Sequence, residues 1–197
     1  LHVKTEFPQI PRQRLLTTLL VFLSTLSFAQ TDSWTAKADF DGVARNFATG
    51  FTIGTKVYIG TGTDESLNGK TDFWEYDPAA NTWTQKADFE GAARLGAVGF
   101  SINGKGYIAL GAGDQGTGLF NDIWEYDPTA NTWTQKTDFS GTARIGATVF
   151  IVDNKAYVGT GQDASASALQ DFWEFDPAGN SWTSKADFPG TARYFAT

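Results

Sequence analysis

An all-β fold of tandem four-stranded sheets is predicted by three observations. The stretch N-D-I-W-E-Y-D-P-T-A-N-T-W-T, Asn121 to Thr134, recurs on either side: Asp72 to Phe89 and Asp122 to Phe139 agree at 15 of 18 positions, and a third copy runs from Asp171 to Phe188. Tryptophans mark the period, with Trp34, Trp83, Trp133 and Trp182 standing 49, 50 and 49 residues apart, and Trp74, Trp124 and Trp173 keeping the same step. Within each copy, short aromatic and β-branched runs alternate with Gly, Asn, Asp and Pro turn signals, the spacing of short antiparallel strands.

A repeat of about 50 residues exceeds the ankyrin, tetratricopeptide and WD40 lengths and agrees with the kelch blade of β-propellers. The residues carry the resemblance further. Kelch blades have a glycine doublet, then a tyrosine, then six residues and a tryptophan; Tyr76 and Trp83, Tyr126 and Trp133, and Phe175 and Trp182 keep that gap. The doublet is replaced by G-x-G, read here as Gly60 and Gly62, Gly111 and Gly113, and Gly159 and Gly161. The region from Trp34 to Thr197 thus resembles a kelch-type β-propeller, the fold shared by galactose-oxidase-like enzymes and by binding modules. Fold alone does not choose between them.

Residues 1–29 read as a signal peptide. Lys4, Arg12 and Arg14 form a basic leader, Leu15 to Leu26 an apolar run, and Ser27 and Ala29 a small-residue cleavage site before Gln30. The apolar run contains four Ser and Thr residues and falls short of the ~20 residues that span a bilayer. A soluble, secreted or cell-envelope product of bacterial type is expected, without a transmembrane segment in the mature chain. A chain that starts at Leu1 is expected to be truncated.

From Gln30 onward, 12 Lys plus Arg face 21 Asp plus Glu, a net charge of −9. Such a surface repels phosphate backbones, so no nucleic-acid partner is expected. Cysteine is absent, and the core must hold without disulfides.

Each repeat divides into four strands. In the first they are Arg45 to Ile53, Lys56 to Thr61, Asp72 to Asp77, and Thr82 to Lys86; blades extend over about 45–86, 94–136 and 144–185, and 193–197 begins another. First strands of a propeller converge on a central channel, which suits Ala48, Ala97, Ala147 and Ala196, with Gly96 and Gly146 beside them. Phe51, Phe100 and Phe150 should fill the space between blades. Tight hairpins at Gly54-Thr55, Asn103-Gly104 and Asp153-Asn154 lead into second strands. Variable loops follow at residues 63–71, 114–121 and 162–170. The segment D-P-x-x-N then turns strand three into strand four, whose tryptophans pack on a neighbouring blade. Closed propellers need about four to eight blades, so three blades read as part of a longer ring. A lone fourth strand, Ser33 to Lys37, would complete its last blade.

Arg45, Arg94, Arg144 and Arg193 enter their first strands at equivalent places and form the candidate ligand-binding set at one channel mouth, where forked guanidinium donors would suit carboxylates. The alternative is structural: Asp39, Asp88, Asp138 and Asp187 lie six residues earlier and would pin the loops. Asp64, Asp114 and Asp163 are calcium candidates, each eight residues before Asp72, Asp122 and Asp171; the spacing departs from a twelve-residue calcium loop, and turn hydrogen bonds compete. Glu75, Glu125 and Glu174 are expected to face solvent.

No catalytic set is present and no cofactor is expected. The sole histidine is His2 and there is no cysteine, which leaves no zinc site and no histidine-based nucleophile system. The expected function is a binding or scaffold module for a protein or glycan, engaged through the channel mouth and the loops after strand two. The resemblance implies an alternative, a carbohydrate-active enzyme: a copper radical oxidase with ligands in further blades, or a metal-free epimerase or mutarotase.

Overall fold

The computed structural model describes residues 33–196. The expected signal peptide lies outside them. The chain divides into two units, Leu1–Thr35 and Ala36–Thr197. Of the first unit only residues 33–35 are described; they form no strand, and Trp34 is fully exposed. The expected fourth strand over Ser33 to Lys37 is therefore not formed, since a strand exists only where a neighbour supplies its hydrogen-bonding ladder.

The second unit is a row of three antiparallel sheets, each a four-stranded meander. Blade one contains β1 (Thr49–Ile53), β2 (Lys56–Gly60), β3 (Phe73–Asp77) and β4 (Thr82–Lys86); blade two β5 (Val98–Ile102), β6 (Lys105–Ala109), β7 (Ile123–Asp127) and β8 (Thr132–Gln135); blade three β9 (Thr148–Val152), β10 (Lys155–Gly159), β11 (Phe172–Asp176) and β12 (Ser181–Lys185). The first strands β1, β5 and β9 lie side by side, as in a propeller. The first strands start four residues later than the sequence suggests. The residue two before each is left-handed, with φ 52° at Phe47, 60° at Gly96 and 63° at Gly146. This breaks the ladder, which resumes beyond the kink as isolated bridges Asn46 to Thr63, Leu95 to Ala112 and Ile145 to Gln162.

Turn chemistry matches turn geometry. Asp77 Oδ1 accepts from the Ala79 and Ala80 amides at 2.9 and 3.3 Å, while Asn81 takes φ 56° and its amide donates to the Asp77 carbonyl at 2.8 Å. Asp127 with Asn131 repeats this, and in blade three Asp176 Oδ1 accepts from the Ala178 and Gly179 amides while Asn180 takes φ 46°. The glycine two residues past the end of each second strand is also left-handed: Gly62 (φ 83°), Gly111 (φ 97°) and Gly161 (φ 102°). A Cβ on Gly62 would lie 2.8–2.9 Å from the Ala48 backbone. Small residues thus meet across this bend from both sides.

That register corrects one reading of the sequence. The counterparts of Gly60 and Gly62 in blade two are Ala109 and Gly111, because Ala109 pairs with Ile123 as Gly60 does with Phe73. Gly113 belongs to the following loop, which carries one extra residue.

The core lies between blades. Phe51, Tyr58 and Phe73 of blade one pack on Ile108, Tyr126 and Trp133 of blade two. Phe100, Tyr107 and Ile123 repeat the arrangement against Val158, Phe175 and the half-buried Trp182 of blade three. Phe51 lies so close to blade two that a Cβ on Gly106 would come within 2.2–2.3 Å of its ring. Phe150, the counterpart in blade three, is 57% exposed, with Val152 at 52%.

Repeated polar bonds join consecutive blades. Trp133 Nε1 donates to the Ala87 carbonyl at 3.2 Å, and Trp182 Nε1 to that of Thr137 at 3.1 Å. Asn131 Oδ1 accepts from the Ala87 amide at 3.0 Å, and Asn180 Oδ1 from that of Thr137 at 3.0 Å. Nearer the axis, the Gly96 amide donates to the Phe47 carbonyl (3.1 Å), Gly146 to Gly96 (3.2 Å) and Phe195 to Gly146 (2.8 Å), a backbone collar passing from blade to blade.

Candidate binding face at the channel mouth

Each linker between blades reads D-F-x-G-x-x-R, and its parts fit one another. Phe89 stands edge-on to Trp124 and Trp133, with centroids at 5.9 and 5.1 Å. The Arg94 guanidinium lies 4.8 Å above the Phe89 ring. A Cβ on Gly91 would fall 2.5 Å from Phe89 and 2.9 Å from Trp124 Nε1, so only glycine lets the chain pass. Phe139, Gly141 and Arg144 reproduce the arrangement on Trp173 and Trp182.

The arginines are therefore inside the protein. The side chains of Arg94 and Arg144 have no exposed surface, and that of Arg45 has 3%. Their partners are not Asp88 and its equivalents but the aspartates opening strand three. Arg94 Nη1 and Nη2 donate to Asp122 at 2.7 and 2.8 Å, and Arg144 grips Asp171 at 2.6 and 2.6 Å. Arg45 Nη2 reaches Asp72 at 2.5 Å. Carbonyl oxygens take other donors: those of Ala92 and Leu110 for Arg94, and of Thr142 and Thr160 for Arg144. The indoles of Trp74, Trp124 and Trp173 each donate to the same carboxylates at 2.7 Å. Asp88 and Asp138 instead accept from Gln85 and Gln135. Burial alone pushes Asp72, Asp122 and Asp171 upward, but the arginine and indole hydrogen bonds outweigh it and hold all three below the ordinary carboxylate range. Arg193 differs: it is exposed, stacks on Phe188 at 4.8 Å, and has no carboxylate partner among the described residues.

The calcium candidates do not converge. Asp64 closes its own loop, accepting from the Ser66 and Asn68 amides at 2.9 and 3.0 Å and from Lys70 Nζ at 2.7 Å; the lysine bond, followed by those from Asn68, holds its carboxyl low. Asp163 accepts from Ser165 and Ser167 in the same way. Asp114 is shifted by the extra residue of its loop and accepts from the Gly69 amide of blade one at 2.8 Å. Among the described residues no three carboxylates or imidazoles gather as a metal site.

Nor do the strand-three glutamates face solvent. Glu75, Glu125 and Glu174 stand across from Tyr58, Tyr107 and Tyr157 and accept their phenol hydrogens at 2.5, 2.5 and 2.9 Å. Glu174 also meets Lys155 and Lys185 at 2.7 and 2.8 Å, which lowers its pKa to about 2. Burial, then the glutamate bond, raises the Tyr58 and Tyr107 phenols well above their usual value. Repetition of this pair in every blade marks it as part of the frame.

What the mouth exposes is apolar and aromatic. The bridge from Asn46 to Thr63 continues to Gly69, that from Leu95 to Ala112 continues to Leu119, and that from Ile145 to Gln162 continues to Ala168, so each loop after a second strand folds back beside the axis. At the collar, Phe47 and Phe195 occupy the place that Gly96 and Gly146 hold in blades two and three. Their rings lie 6.1 Å apart and are 51% and 49% exposed. The Phe195 ring covers the missing Cβ of Gly146, 3.0 Å away, and of Gly96, 3.6 Å away. Both phenylalanines have positive φ, 52° and 49°, a strained conformation for a bulky residue that costs about 1–3 kcal/mol. Sequence patterns drew attention to the arginine two residues earlier because it is charged and repeated. The signal that points to this pair is the one position of the R-x-(F/G)-A segment that alternates between the largest and smallest choices.

Ile145 also lines a cleft of about 370 Å³ with Leu119, Gln162, Asp163 and Ala166. Asn46 lines another with Asp64 and Glu65.

Comparison with known proteins agrees with this architecture. A family model described as the KLHDC2/KLHL20/DRC7 Kelch-repeats domain matches residues 29–192. A solved structure described as "Structure of YjhT" superposes with a TM-score of 0.68 at 23% sequence identity, over 77% of this chain and 54% of that one. The likeness is one of fold, and the chain spans about half the length of that structure. No curated protein matches the sequence.

Proposed function

The chain belongs to the KLHDC2/KLHL20/DRC7 kelch-repeat family, and from that premise we propose that it is an exported binding module that presents its channel mouth and the loops following each second strand to a protein or glycan. One observation carries this. The frame consumes its repeated polar groups internally, arginine on aspartate, tyrosine on glutamate and indole on carbonyl, whereas the three loops at residues 63–71, 114–121 and 162–170 differ in sequence and hold exposed side chains at Glu65, Leu67 and Asp114. Closely similar blades with dissimilar loops suit a rigid scaffold whose recognition is set by its loops.

The test is capture of a purified glycan panel and a displayed peptide library by the chain and by a variant whose loop residues 65–68, 115–118 and 164–167 are replaced with Gly and Ser. Loss of capture with an unchanged unfolding midpoint supports the assignment. Equal capture by both forms refutes it. Export is checked separately by sequencing the mature product, which is expected to begin at Gln30.

A further inference from the structure

We infer that the channel mouth takes an extended peptide in which a bulky apolar side chain is followed or preceded by a basic one, the apolar group resting on Phe47 and Phe195 and the basic group meeting the loop carboxylates. This rests on the binding assignment above and specifies its ligand. Two independent features define the fit.

The first is the floor. Phe47 and Phe195 present about half of each ring to solvent, above a collar whose Gly96 and Gly146 carry no side chain. Tyr194, 47% exposed, adds further apolar surface beside Phe195, with ring centroids 5.8 Å apart. Contiguous exposed apolar surface of this kind marks an interaction site, and an aromatic pair gives large contact area at small entropic cost. The collar amides already donate to carbonyls, so the floor offers little to a strongly polar ligand.

The second is the rim. Across residues 63–71, 114–121 and 162–170 there are four carboxylates and one lysine. Lys70 is committed to Asp64 at 2.7 Å. Glu65, Asp114 and Asp163 have no cationic partner among the described residues, and the guanidinium groups of Arg45, Arg94 and Arg144 are consumed below. Arg193, exposed and stacked on Phe188, has no carboxylate partner among the described residues. Glu65 shares a cleft with Asn46, the neighbour of Phe47, and Asp163 shares one with Ile145, the neighbour of the Gly146 that Phe195 covers. Negative charge around an apolar floor complements a ligand that joins a cation to a hydrophobic group and repels an acidic one.

The test uses fluorescein-labelled hexapeptides that differ only at their centre, Phe-Arg, Phe-Glu and Gly-Arg, read by anisotropy at low and moderate salt. The chain should bind Phe-Arg at least tenfold more tightly than either relative, with the advantage over Phe-Glu shrinking as salt rises. Phe47→Gly with Phe195→Gly should weaken Phe-Arg at least tenfold. These substitutions place the residue already used at the same position in blades two and three, so folding is retained, and the unfolding midpoint verifies it. Glu65→Gln with Asp114→Asn and Asp163→Asn should abolish the preference for arginine over glutamate while leaving that for phenylalanine over glycine. Equal affinity for all three peptides, or glycine variants that bind like the parent, overturns the inference. Loop-dependent capture of glycans alone would overturn it and leave the broader assignment standing; absence of any loop-dependent capture would remove both.

Discussion

Arg94 shows how a charged residue at a promising position is spent on structure. Its guanidinium is wholly buried and its partner Asp122 retains 19% of its side-chain exposure. Removing one member of such a pair leaves an uncompensated charge, so Arg94→Met is expected to destabilise by about 3–5 kcal/mol. Adding Asp122→Leu should recover much of that loss, because two packed apolar side chains replace a buried ion pair at little cost; urea titration of both variants provides the measurement. The three aspartates also set an acid limit. Their folded pKa values lie below the unfolded ones, so their contribution is complete above pH about 4 and disappears as the pH falls through the depressed folded values. Unfolding midpoints followed from pH 6 to pH 2 should drop in that window, and less so in the Arg94→Met, Asp122→Leu protein. The sequence did suggest an arginine pairing with an aspartate, but chose the neighbour six residues away. The actual partners lie 27, 28 and 27 residues on, brought close only by the meander.

At the scale of the blade, most elements were legible and their joints were not. Third and fourth strands follow from alternation and from the D-P-x-x-N turn. The first strands are shorter than the repeat pattern implies, because periodicity does not reveal a left-handed residue such as Phe47. The joints depend on the fit between non-consecutive strands. Trp133, 4% exposed, packs edge-on against Phe73 and Phe89 at 4.9 and 5.1 Å. Trp133→Ala is expected to cost about 3–5 kcal/mol, as for large aromatic deletions in cores. Trp34→Ala, at the equivalent position in sequence but fully exposed, should stay within about 0.5 kcal/mol. Thermal unfolding of the two variants compares a tryptophan seated between blades with one that is not.

For the molecule as a whole, the uneven burial of equivalent residues is informative. Phe51 and Phe100 are 8% and 4% exposed between blades, whereas Phe150 is 57% exposed, with Val152 beside it on the outward face of blade three. A face built for another sheet is adhesive in water. A polypeptide limited to these 197 residues is expected to self-associate at micromolar concentration, and Phe150→Asp should shift its sedimentation coefficient toward that of the monomer with little change in unfolding midpoint. A sedimentation profile independent of concentration in the parent protein would contradict this.

The collar beneath the mouth has a direction. Each amide in it donates toward the preceding blade, from Phe195 to Gly146, from Gly146 to Gly96 and from Gly96 to Phe47. Solvent deuterons can replace the Gly96 and Gly146 amide protons only when adjoining sheets part, so their exchange rates act as separate clocks for the first and second seams, and any occupant that clamps the opening will slow both at once.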